Sequence, residues 1–238
     1  MAGDRLKLDA IEASLRAVQR GFEPINRNLA VQHDALDDDV VRRMVAGYAY
    51  IARLIDRGID LFVLGTSGHL LELNRIVLAG TDPADRRSLA GHFAASERHF
   101  YAQGGVGNLV AWYAVHADAA IWERAASTYI RLLGTPQLYL EGNHRCGALL
   151  VSYLLLRHGH PPFVLTPENA DPFFASSSVI KTLSKDSLST IFTVRSLKKS
   201  FAQFLRLNVN PVFLAQPDRQ PEVISARVKR DTRGTDPA

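Results

Sequence analysis

The residues with the clearest chemical potential lie in one short stretch, 141–147, which reads Glu-Gly-Asn-His-Arg-Cys-Gly. It directly precedes the most hydrophobic stretch of the chain, 148–157, whose composition predicts a buried helix. The first turn of a helix has backbone N–H groups without partners and a partial positive charge, so an anion placed there is stabilised. The sequence therefore predicts a phosphate-binding site where this helix begins.

The residue types around this turn suit a phosphate ligand with a metal ion. Gly142 and Gly147 allow the backbone to approach a ligand closely, and Arg145 can donate a charge-assisted hydrogen bond to a phosphate oxygen. Glu141, at the edge of the turn, can hold a divalent cation that shields the phosphate charges. This combination is suited to a nucleotide with Mg²⁺.

The longer stretch 138–165, LYLEGNHRCGALLVSYLLLRHGHPPFVL, resembles the signature region of Fic-domain proteins. Their motif reads His-x-Phe-x-(Asp/Glu)-Gly-Asn-Gly-Arg-x-x-Arg, ahead of an aliphatic helix and a Gly-x-Pro-Pro turn. The match runs through this stretch without a gap. Weaker similarities at 72–78 and 125–133 extend the resemblance over 59–183.

The resemblance implies transfer of AMP from ATP to a hydroxyl side chain of a target protein, and some members of the family move other phosphate-containing groups. By position, Glu141 matches the acidic Mg²⁺ ligand. Gly142 and Asn143 match the phosphate-binding turn, and Arg145 matches the first arginine of the motif. Tyr139 replaces the phenylalanine that anchors the loop in the core.

Three positions depart from the family motif. Gln137 stands where the family has its catalytic histidine, a general base of the kind that contributes about a hundred- to ten-thousandfold in rate. Ala148 replaces the second arginine, which holds the outer phosphates, and its loss costs roughly 1.5 to 3 kcal/mol of affinity. His144 replaces the second glycine within the phosphate-binding turn. It is either a relocated catalytic base or a loop histidine that caps or packs.

Two functions follow from these residues. The first is a Fic-like protein that binds a nucleotide, such as ATP with Mg²⁺, at the 141–147 loop and transfers AMP or another phosphate-containing group to a target protein. The second is a non-catalytic, Fic-derived module for protein interaction or ligand sensing. The changes at Gln137 and Ala148 favour the second, because both remove groups that the transfer needs.

Composition and charge narrow the class of protein. The chain has 238 residues, 47% of them hydrophobic and 22% charged, which is typical of a globular protein with a core. Its single cysteine excludes an internal disulfide, and the net charge of +4 is too small to indicate nucleic-acid binding. The N-terminal stretch lacks the apolar run of a signal peptide, and no stretch is long enough to span a membrane. We therefore expect a cytoplasmic protein with no membrane or nucleic-acid partner.

Helical spacing of apolar residues predicts an all-α fold. The resemblance implies that this fold is Fic-like, with an irregular flap before the core motif. We expect an N-terminal helical segment at 1–58 packed on the core, a Fic-like domain at 59–215 and a mobile tail at 216–238. The first helix should end near Gly21, Pro24 should start another, and Asp37 or Asp38 should cap the next. Two segments are predicted to be irregular. One is a flap at 88–107, before the motif, and the other is a loop that contains Pro167 and Pro172.

For the other reactive side chains, a structural role stands beside a catalytic or metal-binding one. Cys146 at the helix start is either a reactive thiol or a small residue packed beneath the loop. His92 and His99 flank the predicted flap and are expected to be surface residues. His158 and His160 follow a helix end, where interaction with the helix dipole is favoured over a metal site.

Overall fold

A computed structural model of the chain describes residues 5–29, 32–63, 65–102, 105–181 and 190–215. These residues form α1 (Leu8–Asn28), α2 (Asp38–Asp56), α3 (Ser67–Ala79), α4 (Pro83–Ser88), α5 (Ala90–Tyr101), α6 (Val106–Val115), α7 (Ile121–Leu133), α8 (Asn143–Arg157), α9 (Pro167–Lys181), α10 (Thr190–Asn208) and a 3₁₀ helix, Pro211–Phe213. Only two isolated β-bridges, and no strand, occur in the described part of the chain, which confirms the all-α class. None of the described helices is both long and apolar enough to cross a lipid bilayer.

Helix α8 is the centre of the core, as its hydrophobicity predicted. Twelve of its fifteen residues are buried, and it packs against α2, α3 and α7. Since full burial of one leucine contributes roughly 1.5 to 3 kcal/mol, α8 is a rigid base for the loop that precedes it. It begins at Asn143 rather than at 148, because its first turn is polar and gives no hydrophobic periodicity.

The N-terminal helices differ from the prediction at one proline. Helix α1 continues past Gly21 and contains Pro24, so the predicted break there was wrong. Proline removes only the hydrogen bond to the carbonyl of Arg20, an exposed residue, so water can replace that bond. The buried face of α1 meanwhile continues to Phe22. The predicted cap of α2 is confirmed, because the Asp37 side chain accepts a hydrogen bond from the N–H of Val40.

The predicted irregular flap at 88–107 was wrong, because most of it is helical. Helix α5 covers Ala90–Tyr101, and α6 starts at Val106. Phe93, Ser96 and Phe100 share the buried face of α5, with the spacing of an amphipathic helix. The segment has few aliphatic residues, so its periodicity was hard to recognise, although its aromatic side chains supply the apolar face.

The predicted loop around Pro167 and Pro172 was also wrong. Both prolines belong to α9, where Pro167 occupies the first position and Pro172 lies inside the helix. Burial of Phe173 and Phe174 on this helix offsets the hydrogen bond that Pro172 removes. The predicted mobile tail, 216–238, lies outside the described residues.

Long-range hydrogen bonds join α1 and α2 to the rest of the core. The hydroxyl of Ser14 on α1 donates to the carbonyl of Leu165 at 2.7 Å. The hydroxyl of Tyr48 on α2 donates to the carbonyl of Phe163, also at 2.7 Å. Together they hold α1 and α2 against the segment between α8 and α9, beside the first turn of α8.

Candidate functional site

The loop before α8 is held by one buried amide side chain, that of Asn143. Its Oδ1 accepts a hydrogen bond from the N–H of Tyr139 at 2.9 Å, and its Nδ2 donates to the carbonyl of Tyr139 at 2.8 Å. Nδ2 also donates to Oε1 of Gln137 at 3.1 Å. Both Nδ2 hydrogens and one lone pair of Oδ1 are thus used within the loop, so the donor that Asn143 has left for a ligand is its backbone N–H.

Tyr139 anchors the same loop in the core. Its ring stacks on Phe100 with centroids 5.5 Å apart, and its hydroxyl donates to the carbonyl of Leu70 on α3. Asn74, also on α3, donates to the carbonyl of Glu141 at 2.9 Å. The loop is thus fixed from both α3 and α5, and its shape does not depend on a ligand.

Gly142 and Gly147 have different structural roles, one in the turn and the other in helix packing. Gly142 caps α8 with φ of +79°, and a Cβ there would lie 3.0 Å from Nδ2 of Asn74 and 3.2 Å from Val77, so the turn requires glycine. At Gly147 a Cβ would lie 2.7 Å from the ring of Tyr129. Gly147, predicted to contact phosphate, is therefore the point where α7 and α8 pack closely.

Three backbone N–H groups remain at the start of α8. The first helical hydrogen bond runs from the N–H of Cys146 to the carbonyl of Gly142 at 2.9 Å. The N–H groups of Asn143, His144 and Arg145 have no acceptor among the residues that the structure describes. They lie at the positive end of the helix dipole, an arrangement that can bind an anion.

Two charged side chains flank these N–H groups. Arg145 donates through Nη1 to the carbonyl of Val77 at 2.7 Å, near the C-terminal end of α3, and its Nη2 lies 3.5 Å from Oε1 of Glu141. The Glu141 side chain is 53% exposed and lies 3.9 Å from Nε2 of His92. One exposed carboxylate suits Mg²⁺, which takes its other ligands from substrate phosphates and water. The described residues contain no group of three or more candidate metal ligands.

His144 lies in a different environment from the one that a catalytic base needs. Burial, together with the charges of His33, Lys181 and Arg145, lowers its pKa to about 3. Its Nδ1 lies 3.4 Å from the hydroxyl of Tyr129. A base works best when its pKa is near the working pH, so these surroundings favour the packed alternative for His144.

The structure brings His92 and His99, which were predicted to be surface residues, to the loop. His99 lies on α5 with Nε2 2.9 Å from the backbone carbonyl of Gln137. A carbonyl oxygen can only accept, so Nε2 of His99 is the donor in this hydrogen bond. The seven-residue spacing of these histidines was the available signal, since it corresponds to two helical turns. That signal was missed because the segment was predicted to be irregular.

The remaining candidates from the sequence are Cys146, as a reactive thiol, and His158 and His160, as metal ligands. Cys146 is fully buried and accepts a hydrogen bond from Asn74, and burial raises the pKa of its thiol to about 12. It is therefore a packed residue and no nucleophile. His158 contacts the carbonyl of Leu154 at the end of α8, and His160 packs against Trp122, so neither meets a partner for a metal site within the described chain.

Ala148, where the resemblance places a second arginine, lines a cavity of about 150 Å³. The cavity lies between α1, α9 and the first turn of α8, and its surroundings are mainly apolar. A charged side chain is absent from the position that would face the outer phosphates of a nucleotide.

Comparison with protein-family models finds no family that matches the chain. Comparison with curated proteins and with solved structures likewise finds no match.

Proposed function

We propose that this chain is a divergent Fic-like protein that binds the phosphate group of a nucleotide or a related ligand at the start of α8. The observation that carries the proposal is the set of three N–H groups, from Asn143 to Arg145, without an acceptor in the described part of the chain. A phosphate there would accept hydrogen bonds from these groups at the positive end of the helix dipole.

The loop geometry supports binding because it is already formed. Asn143 holds the loop, and Gly142 supplies the left-handed turn that exposes the N–H groups. The cost of ordering the loop backbone when a ligand binds is therefore reduced. Glu141 would hold Mg²⁺, which shields the phosphate charges when it is bound, and Arg145 lies beside the same turn.

Binding is better supported than transfer at the two altered positions. The side-chain oxygen of Gln137 accepts a hydrogen bond from Asn143, and an amide takes up no proton at neutral pH. Ala148 offers no charge to the outer phosphates of ATP. A ligand-sensing or interaction module is therefore the form of the proposal that these side chains favour.

Transfer to a protein hydroxyl is the second candidate, and His99 is the observation that favours it. Its imidazole is a basic group, which Gln137 lacks, and its Nε2 lies 2.9 Å from the backbone carbonyl of the residue that stands at the position of the family's base. In this reaction the hydroxyl oxygen of the target attacks the α-phosphorus of ATP. The bond from that phosphorus to the bridging oxygen breaks, pyrophosphate leaves, and the hydroxyl proton passes to Nδ1 of His99.

Calorimetric titration with ATP, ADP, AMP and CDP-choline, with and without Mg²⁺, tests the binding proposal. Arg145→Gln should weaken binding by about tenfold or more, because a hydrogen bond to a charged group contributes roughly 1.5 to 3 kcal/mol. Glu141→Gln should remove the dependence on Mg²⁺. Arg157→Gln is the matched control. Arg157 is also an arginine of α8 that forms an ion pair, with Asp60, but it lies at the end of the helix opposite to the proposed site.

Equal weakening by the Arg145 and Arg157 variants, or no binding of any of the four nucleotides, would contradict the phosphate site. Incorporation of labelled AMP into proteins of a cell extract tests the second candidate. His99→Phe should abolish incorporation, and Gln137→His should increase it. If His99→Phe leaves incorporation unchanged, His99 is not the base.

A further inference from the structure

His92 and Glu141 face each other at the edge of the proposed phosphate site. His92 lies in the first turn of α5, and its Nε2 is 3.9 Å from Oε2 of Glu141. That distance is too long for a hydrogen bond. Nε2 has no other hydrogen-bond partner among the described residues, and it is shielded from water. A ring nitrogen and a carboxylate oxygen thus point at each other with a gap between them.

The width of this gap suits a metal ion. Zn²⁺ lies about 2.0 to 2.1 Å from a histidine nitrogen and about 2.0 to 2.2 Å from a carboxylate oxygen. At a tetrahedral angle, two such ligand atoms are about 3.4 Å apart. The observed separation is 3.9 Å, so a shift of about 0.5 Å by the Glu141 side chain brings both atoms to bonding distance. Packing restricts that side chain little, because it is half exposed.

The second oxygen of Glu141 already has a partner of the appropriate kind. Its Oε1 lies 3.5 Å from Nη2 of Arg145, whereas Oε2 faces His92. Carboxylates that bind a metal through one oxygen are themselves held by polar neighbours, which fix their orientation. The positive charge of Arg145 also opposes a cation, and a phosphate bound at the N–H groups of α8 would offset both positive charges.

The pair of donors determines which ion is preferred. Mg²⁺ takes its ligands from carboxylates, phosphates and water. Imidazole nitrogen suits Zn²⁺ and other transition-metal ions better. The described residues offer no third histidine, cysteine or carboxylate to this pair. Two of the four positions around Zn²⁺ therefore remain open to water and to a phosphate oxygen.

We infer that His92 and Glu141 bind a transition-metal ion, Zn²⁺, in preference to Mg²⁺. The inference deepens the proposed function and rests on it in one respect, because an oxygen of the bound phosphate takes one of the open positions. His92 is then a second metal ligand, supplied by α5. The ion would connect α5 to the turn before α8 and bring positive charge to the phosphate.

Calorimetric titration of the untagged full chain with ZnCl₂ and with MgCl₂ tests the ion preference. We expect Zn²⁺ to bind about a hundredfold or more tightly than Mg²⁺, because one of the two ligands is an imidazole. AMP should bind about tenfold more tightly when Zn²⁺ is present, and Zn²⁺ should gain the same factor from AMP. Long-range ¹H–¹⁵N spectra should show the Nε2 signal of His92 shifting when Zn²⁺ is added.

Variants locate the ion. His92→Phe keeps a ring on α5 and removes its nitrogen atoms, so it should weaken Zn²⁺ binding about tenfold or more and leave Mg²⁺ binding unchanged. Glu141→Gln should weaken binding of both ions. His158→Phe is the matched control, because His158 and His160 are close in the chain and are a place for adventitious Zn²⁺. Thermal unfolding of each variant verifies that it is folded.

The outcomes separate this inference from the proposed function. Zn²⁺ that binds no more tightly than Mg²⁺, or that is lost in His158→Phe and kept in His92→Phe, overturns the inference, while AMP binding that needs Arg145 would still support the proposed function. Zn²⁺ bound by His92 without any effect of AMP overturns the shared site. If no nucleotide binds even with Zn²⁺ in place, the proposed function fails and the metal pair stands alone.

Discussion

Replacement of Asn143 by alanine should unfold the loop that presents the proposed phosphate site. The substitution removes three hydrogen bonds, of 2.8, 2.9 and 3.1 Å, that tie this side chain to Tyr139 and Gln137. At about 1 kcal/mol each, the expected loss in the free energy of unfolding is about 3 kcal/mol. This loss is larger than that expected for substitution of an exposed residue, because the backbone groups of Tyr139 are buried and lose their hydrogen-bond partners.

Urea denaturation followed by circular dichroism measures this loss directly. For a chain of this size, about 3 kcal/mol corresponds to a fall in Tm of roughly 6 to 12 °C. Asn108→Ala is the control, because Asn108 is exposed on α6 and should change stability by less than about 0.5 kcal/mol. A loss below about 1 kcal/mol for Asn143→Ala would refute the conclusion that this side chain holds the loop.

Three more predictions concern buried groups on α8. Cys146 should resist alkylation in the folded protein and react only after denaturation, because burial raises its pKa to about 12; a rate near that of a free thiol in native protein would be inconsistent with this environment. The pKa of His144 is about 3 in the folded protein and 6.5 in its ordinary state. Between pH 3 and pH 6.5 the His144 ring is therefore protonated in the unfolded chain and neutral in the folded protein. Stability should therefore fall as pH drops through that range, by up to about 1.4 kcal/mol per pH unit, and a pH titration of His144→Phe should show a smaller slope. Gly147→Ala should destabilise the protein by roughly 1 to 3 kcal/mol through its clash with Tyr129. Gly21→Ala, where a Cβ meets nothing within 4 Å, should stabilise it by about 0.5 to 1 kcal/mol, and urea denaturation of both variants tests whether the close approach sets the sign.

Local signals in the sequence were enough for several elements. The run of aliphatic residues at 148–157 predicted the core helix, because such a run can be stable only where it is buried. Asp37 predicted the start of α2, because its short side chain reaches a free N–H of the first turn. The residues of the turn before α8 could also be read together from the sequence, since they follow one another in the chain.

Prolines and aromatic residues misled the prediction where tertiary packing outweighed local preference. Pro24 and Pro172 both lie within helices, although proline favours a break. In α9 the burial of Phe173 and Phe174 contributes more than the lost hydrogen bond. The same cause explains α5, whose apolar face is formed by aromatic residues that pack on the loop of the candidate site.

The sequence by itself determined the all-α class, the central helix and the backbone turn that precedes it, since each depends on residues close together in the chain. Only the tertiary structure decided which side chains surround that turn. His99 reaches it from α5 and His33 approaches it from the segment between α1 and α2, whereas His144, inside the motif, is half-buried and lies against His33 and Tyr129. Those positions follow from packing between distant helices, which no local pattern of residues specifies.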